Sequence, residues 1–128
     1  MIRADDYQRA IPLFWAREFS EPGRQDLVDT FVKISLGMPR EVFRVFFTVV
    51  DPGRDIRDLL PTVRVPTLVL HGEDDRIVPV EAGRWVAQQI PGAEFHAFKG
   101  CGHLPAFTAP DEVAKVIRTF LTRGPRPV

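Results

Sequence analysis

The chain has 128 residues, 45% of them hydrophobic, and its 17 Lys plus Arg balance 17 Asp plus Glu. That length supports one ordinary core and not two, and the balanced charge supplies no net field to draw the chain toward nucleic acid or an anionic membrane. The single Cys101 excludes an internal disulfide, and charges interrupt the first ten residues where a secretion signal or membrane helix needs an apolar run, so a cytoplasmic protein with a small or apolar ligand is expected.

From residue 5 to residue 60 the apolar residues fall three and four apart, the spacing of a helix stripe. Tyr7, Ile11, Phe14, Trp15 and Phe19 form a first set, Leu27, Val28, Phe31 and Val32 a second, and Val42, Phe43, Phe46, Phe47 and Val50 a third. Pro22-Gly23, Gly37-Met38-Pro39 and Asp51-Pro52-Gly53 separate them, since glycine and proline end regular structure. A short fourth helix is expected over 56–60.

The pattern changes near Pro61, giving a helical segment over 1–60 and a strand-helix segment over 61–128. Thr67-Leu68-Val69-Leu70 is apolar without alternation, as in a parallel strand covered on both faces. Pro79 suits a first helical turn, and Ala82, Trp85, Val86 and Ile90 share the face of the helix that follows. Residues 94–98 alternate, Phe95 and Ala97 against Glu94 and His96, which predicts a half-exposed edge strand. Val113, Val116, Ile117, Phe120 and Leu121 then mark a terminal amphipathic helix. The fold class is α/β, with a βαβα order and two parallel strands.

Two loops gather ionisable residues, His71-Gly72-Glu73-Asp74-Asp75-Arg76-Ile77-Val78-Pro79 and Lys99-Gly100-Cys101-Gly102-His103-Leu104-Pro105. Each follows a strand, and ligands of open parallel sheets bind at the carboxyl ends of strands. Adjacent strands make these loops neighbours, so a carboxylate of the first can accept a hydrogen bond from an imidazole of the second.

VPTLVLHGEDDRIVP, followed by GCGHLP and a terminal amphipathic helix, resembles the C-terminal portion of the α/β-hydrolase fold over residues 60–121. The resemblance implies that Asp75, three residues after Gly72, is the triad acid and that His103, after Gly102, is the base. Asp75 would hold the tautomer of His103, and His103 would take the nucleophile's proton and hand it to the leaving group. No cofactor or metal is implied. The family's nucleophile stands on a Gly-x-Ser-x-Gly strand-to-helix turn upstream of the acid. Only Ser20 and Ser35 exist here, in EFSEPG and KISLGM, and neither has those flanking glycines. The chain is therefore expected to begin inside the helical cap, without the nucleophile or the oxyanion donors. It is also expected to be inactive alone, and to recruit a complementing N-terminal half or a second copy through the uncovered edge of its first strand.

The helices over 1–60 resemble the cap, whose Phe14, Trp15, Phe43, Phe46 and Phe47 are candidates for a substrate pocket or for ordinary core. Trp15 and Phe47, with Val78 and Leu104 of the two loops, are the substrate-binding candidates. Asp74 is the alternative acid, Glu73 a solvated neighbour, and a metal cluster of His71, Glu73, Asp74 and Asp75 a weaker possibility. His71 and His96 read as structural, and Cys101 as packing rather than a nucleophile, being two residues from His103. Three functions fit: a serine-type hydrolase of esters, lactones or related acyl compounds; a non-catalytic binding module on a hydrolase remnant; and a cofactor-free haloperoxidase or dehalogenase on the same loops.

Overall fold

The computed structural model describes residues 7–39, 41–42 and 55–123. The chain divides into two compact units, Met1–Arg54 and Asp55–Val128.

In the first unit α1 spans Tyr7–Glu18 and α2 spans Gln25–Gly37. Gly23, at φ +79°, makes the turn between them, a backbone region that favours glycine. Ile11, Phe19 and Val28 are buried between the two helices, and Trp15, Phe19 and Phe31 form an aromatic cluster with ring centroids 4.6 to 6.0 Å apart. The Trp15 indole N–H donates to Ser35 Oγ at 2.8 Å, and the Tyr7 hydroxyl to the Ser35 carbonyl at 2.7 Å. Residues 41–42 are helical, and the rest of the third expected helix, Phe47 included, lies outside the described residues.

The second unit opens with a 3₁₀ helix, Arg57–Thr62, close to the short helix expected over 56–60. Then follow β1 (Leu68–Gly72), α3 (Val80–Gln89), β2 (Glu94–Phe98), a single turn α4 (Pro105–Thr108) and α5 (Pro110–Thr122). The strands pair in parallel, with Leu68 opposite Glu94 and Gly72 opposite Phe98. This is the βαβα order read from the sequence.

Several details differ. β1 runs two residues past Leu70, because the ladder continues through His71 and Gly72. Pro79 is the residue before α3 and not its first turn. The face of α3 turned inward carries Gly83, Ala87 and Ile90, while Trp85 is 41% exposed. Apolarity marks Trp85 for the interior, yet the helix must pass close to the His71 ring, and only a residue without Cβ fits there. β2 does not alternate: Glu94 to Ala97 are all half-buried and Phe98 is buried. Both faces are covered. Phe95 lies under Arg84 of α3, and Phe98 packs with Val113 and Val116 of α5 and with Cys101 and Leu70. Ile117 and Leu121 of α5 stay exposed among the described residues, since two strands give a helix a narrow platform.

Candidate active site

β1 and β2 end opposite each other, so their loops leave side by side. Backbone bonds stitch the loops together: Glu73 N–H donates to the Phe98 carbonyl and Asp74 N–H to the Cys101 carbonyl, both at 2.9 Å. Gly72 permits this approach, because a Cβ there would overlap the carbonyl oxygens of Cys101 and Gly102.

Asp75 is held by this frame. Its Oδ1 accepts the backbone N–H groups of Ile77 at 2.8 Å and Val78 at 2.9 Å, and its Oδ2 lies 2.8 Å from His103 Nδ1. The Asp75 side chain is 3% exposed and that of His103 is 32% exposed. Burial pushes the Asp75 carboxyl up, but the Val78 N–H, the His103 ring and the Ile77 N–H together outweigh it and hold the group below its ordinary value. An ionised carboxylate only accepts, so Nδ1 of His103 carries the hydrogen, and in the neutral ring Nε2 is then the basic nitrogen.

Of the other candidates, Glu73 and Asp74 are exposed, and Cys101 is buried in the core cluster with Phe98 and Val113. Val78 is 37% exposed and serves the site through its backbone, while Leu104 is half-buried just before α4. Trp15 lies in the first unit, bonded to Ser35. Ser35 is inside α2, and Ser20 follows α1. His96 stacks edge-on against Phe98 at 4.7 Å, with Nε2 4.0 Å from Glu112 Oε1. Among the described residues no three His, Cys, Asp or Glu side chains are grouped to hold a metal ion, and no helix is long and apolar enough to cross a membrane.

His71 has more to do with this site than its residue type suggested. Its Nε2 lies 2.9 Å from the Val78 carbonyl and 3.1 Å from Asp75 Oδ2. The only sequence signal was its place next to the end of β1, four residues before Asp75.

A parallel sheet flanked by helices, with a carboxylate and an imidazole meeting at the carboxyl ends of its strands, defines an α/β protein whose acid-base pair stands where ligands of open parallel sheets bind. The chain belongs to the alpha/beta hydrolase family, whose model matches residues 2–116. It is 31% identical over 112 residues to the 2-hydroxy-6-oxononadienedioate/2-hydroxy-6-oxononatrienedioate hydrolase of Klebsiella pneumoniae, covering 88% of this chain and 35% of that protein. A hydrolase of the same name from a Pseudomonas species is 38% identical over 65 residues, 51% of this chain and 23% of that protein. Among solved structures, an esterase from a Rhodococcus species superposes with a TM-score of 0.78 at 27% identity, over 95% of this chain and 44% of that one. The chain thus spans about a third or less of the length of these two curated relatives.

Proposed function

We propose that this chain supplies the acid, Asp75, and the base, His103, of a serine-type hydrolase acting on an activated carbonyl compound. The observation that carries the proposal is the 2.8 Å hydrogen bond from His103 Nδ1 to a buried, ionised Asp75. With Nδ1 protonated and held, Nε2 takes the proton of an attacking hydroxyl as its oxygen bonds to the carbonyl carbon. Asp75 stabilises the imidazolium that results, and the proton passes to the leaving group as the tetrahedral intermediate collapses.

Neither serine sits on a strand-to-helix turn, so the attacking hydroxyl and the oxyanion donors come from chain beyond these 128 residues, in the same polypeptide or in a partner. Two observations support this. The matched relatives are more than twice as long, and β1, a Leu-Val-Leu strand, is only half-buried with β2 as its sole pairing partner among the described residues. An ester, a lactone or an oxo-acid of the kind named for the relatives is the substrate class, with Val78 and Leu104, on the two loops that carry Asp75 and His103, as pocket candidates.

The test incubates the purified chain with a p-nitrophenyl ester and with 2-hydroxy-6-oxononadienedioate, alone and with the N-terminal portion of the Klebsiella relative. Turnover is expected only in the complemented sample, and His103→Ala lowers it at least about a thousandfold. Full activity of the complemented His103→Ala variant defeats the acid-base assignment. His103-dependent turnover by the chain alone defeats the requirement for an external nucleophile. One observation favours a second reading, a binding module on a hydrolase frame: the placement of Ser20 and Ser35 away from any strand end. Complementation without any turnover would select it.

A further inference from the structure

We propose that His71 is a positioning residue of the Asp75–His103 pair, its Nε2–H clamping the loop after β1 so that Oδ2 of Asp75 faces His103. The inference rests on the acid-base reading above and adds to it a third side chain. Both atoms near His71 Nε2, the Val78 carbonyl oxygen at 2.9 Å and Asp75 Oδ2 at 3.1 Å, are acceptors. The nitrogen between them must therefore carry a hydrogen, and the neutral ring is the Nε2–H tautomer.

The bond to Val78 closes the loop. It ties the end of β1 to residue 78, the same residue whose N–H donates to Asp75 Oδ1. The carboxylate then has three hydrogen-bond donors, the Ile77 and Val78 N–H groups on Oδ1 and the His103 imidazole on Oδ2, while His71 Nε2 stands 3.1 Å from that same Oδ2. The ring is itself held from behind. Its Nδ1 side lies against α3 at Gly83, where any Cβ would overlap the ring. Glycine inside a helix is less favourable than alanine, and the space it leaves is filled by the His71 imidazole. With its side chain 13% exposed, His71 is boxed between a helix and the loop it restrains.

The experiment reads the tautomers of the neutral rings from their 15N shifts, detected through carbon-bound protons in the labelled 128-residue chain. Wild type is expected to show His71 as Nε2–H and His103 as Nδ1–H. His71→Phe keeps an aromatic side chain, somewhat larger than imidazole, and removes the donor, and the Nδ1–H to Nε2–H ratio of His103 is expected to fall about fivefold, the worth of one net hydrogen bond. His71→Gln, which carries an amide donor at similar reach, restores most of the ratio. A structural filler would leave the ratio unmoved in a folded His71→Phe, and that result overturns the proposal. So does wild-type His71 in the Nδ1–H form, a measurement that stands even if His71→Phe fails to fold. Asp75→Asn separates the two readings. If His103 loses its Nδ1–H preference in Asp75→Asn but not in His71→Phe, the acid-base pair stands and the role of His71 falls. If wild-type His103 shows no such preference, the pair itself falls.

Discussion

The two units use buried polar groups differently. In α1 and α2, the Tyr7 hydroxyl and Trp15 indole end on Ser35, which is 1% exposed, and the bonds lock one helix to the other. At the ends of β1 and β2, the polar groups instead converge on one carboxylate, and the His103 ring that donates to it still reaches solvent. A polar group whose bonds are all internal holds structure, whereas one that leaves a titratable nitrogen at the surface is available for chemistry.

Substitutions can break or sharpen that contrast. The largest effect is expected at Gly72→Ala, where the new Cβ meets two backbone oxygens that cannot turn aside as a side chain would. A loss of about 3 kcal/mol or more in urea unfolding is expected. A tolerated alanine would show that the two loops need not approach so closely.

Asp75→Asn comes next, at about 2 kcal/mol, because a buried charged acceptor is replaced by a group with one acceptor and a misplaced donor. Its pH dependence has a definite sign. The folded-state carboxyl lies below its ordinary value of 3.8, so the stability it contributes is present above that value and is lost as pH falls through the lowered one. Acid unfolding of the wild type should therefore steepen below about pH 4, and Asp75→Asn should flatten that part of the curve. An unchanged acid limb would mean that Asp75 is not held as a carboxylate.

Trp15→Phe should cost about 1.5 kcal/mol, since the donor to Ser35 is lost and the smaller phenyl ring leaves part of the indole's space in the aromatic cluster empty. If the complemented enzyme showed a raised KM with stability unchanged, Trp15 would belong to the pocket and not to the helix interface. The smallest effect is expected at Arg84→Gln, about 0.5 kcal/mol for the cation lying 4.8 Å over Phe95. A larger loss would make the outer face of α3 more than a solvated surface.

Much of the second unit was legible because its signals are local. An apolar strand run, a loop rich in acids, a stripe at helical spacing and a Gly-His pair each occupy a few consecutive residues. Misreadings arose where packing chose against apolarity. Trp85 was placed inside and Gly83 was not considered, since a glycine carries no hydrophobic mark, although the close approach of His71 requires it. The alternation in β2 predicts a half-exposed edge strand, and Glu94 to Ala97 are half-buried, but without alternation, because α3 and α5 pack on both its faces.

The sequence by itself determined the order of strands and helices and the identity of the two loops that meet, because hydrophobic period and turn chemistry act over short stretches of chain. Tertiary structure alone decided how those loops touch: the overlap avoided at Gly72, the second imidazole on Asp75 and the gap at Gly83 that seats it. These depend on separations between residues 71 and 83, or 72 and 102, which close packing sets to a fraction of an ångström and no periodicity encodes.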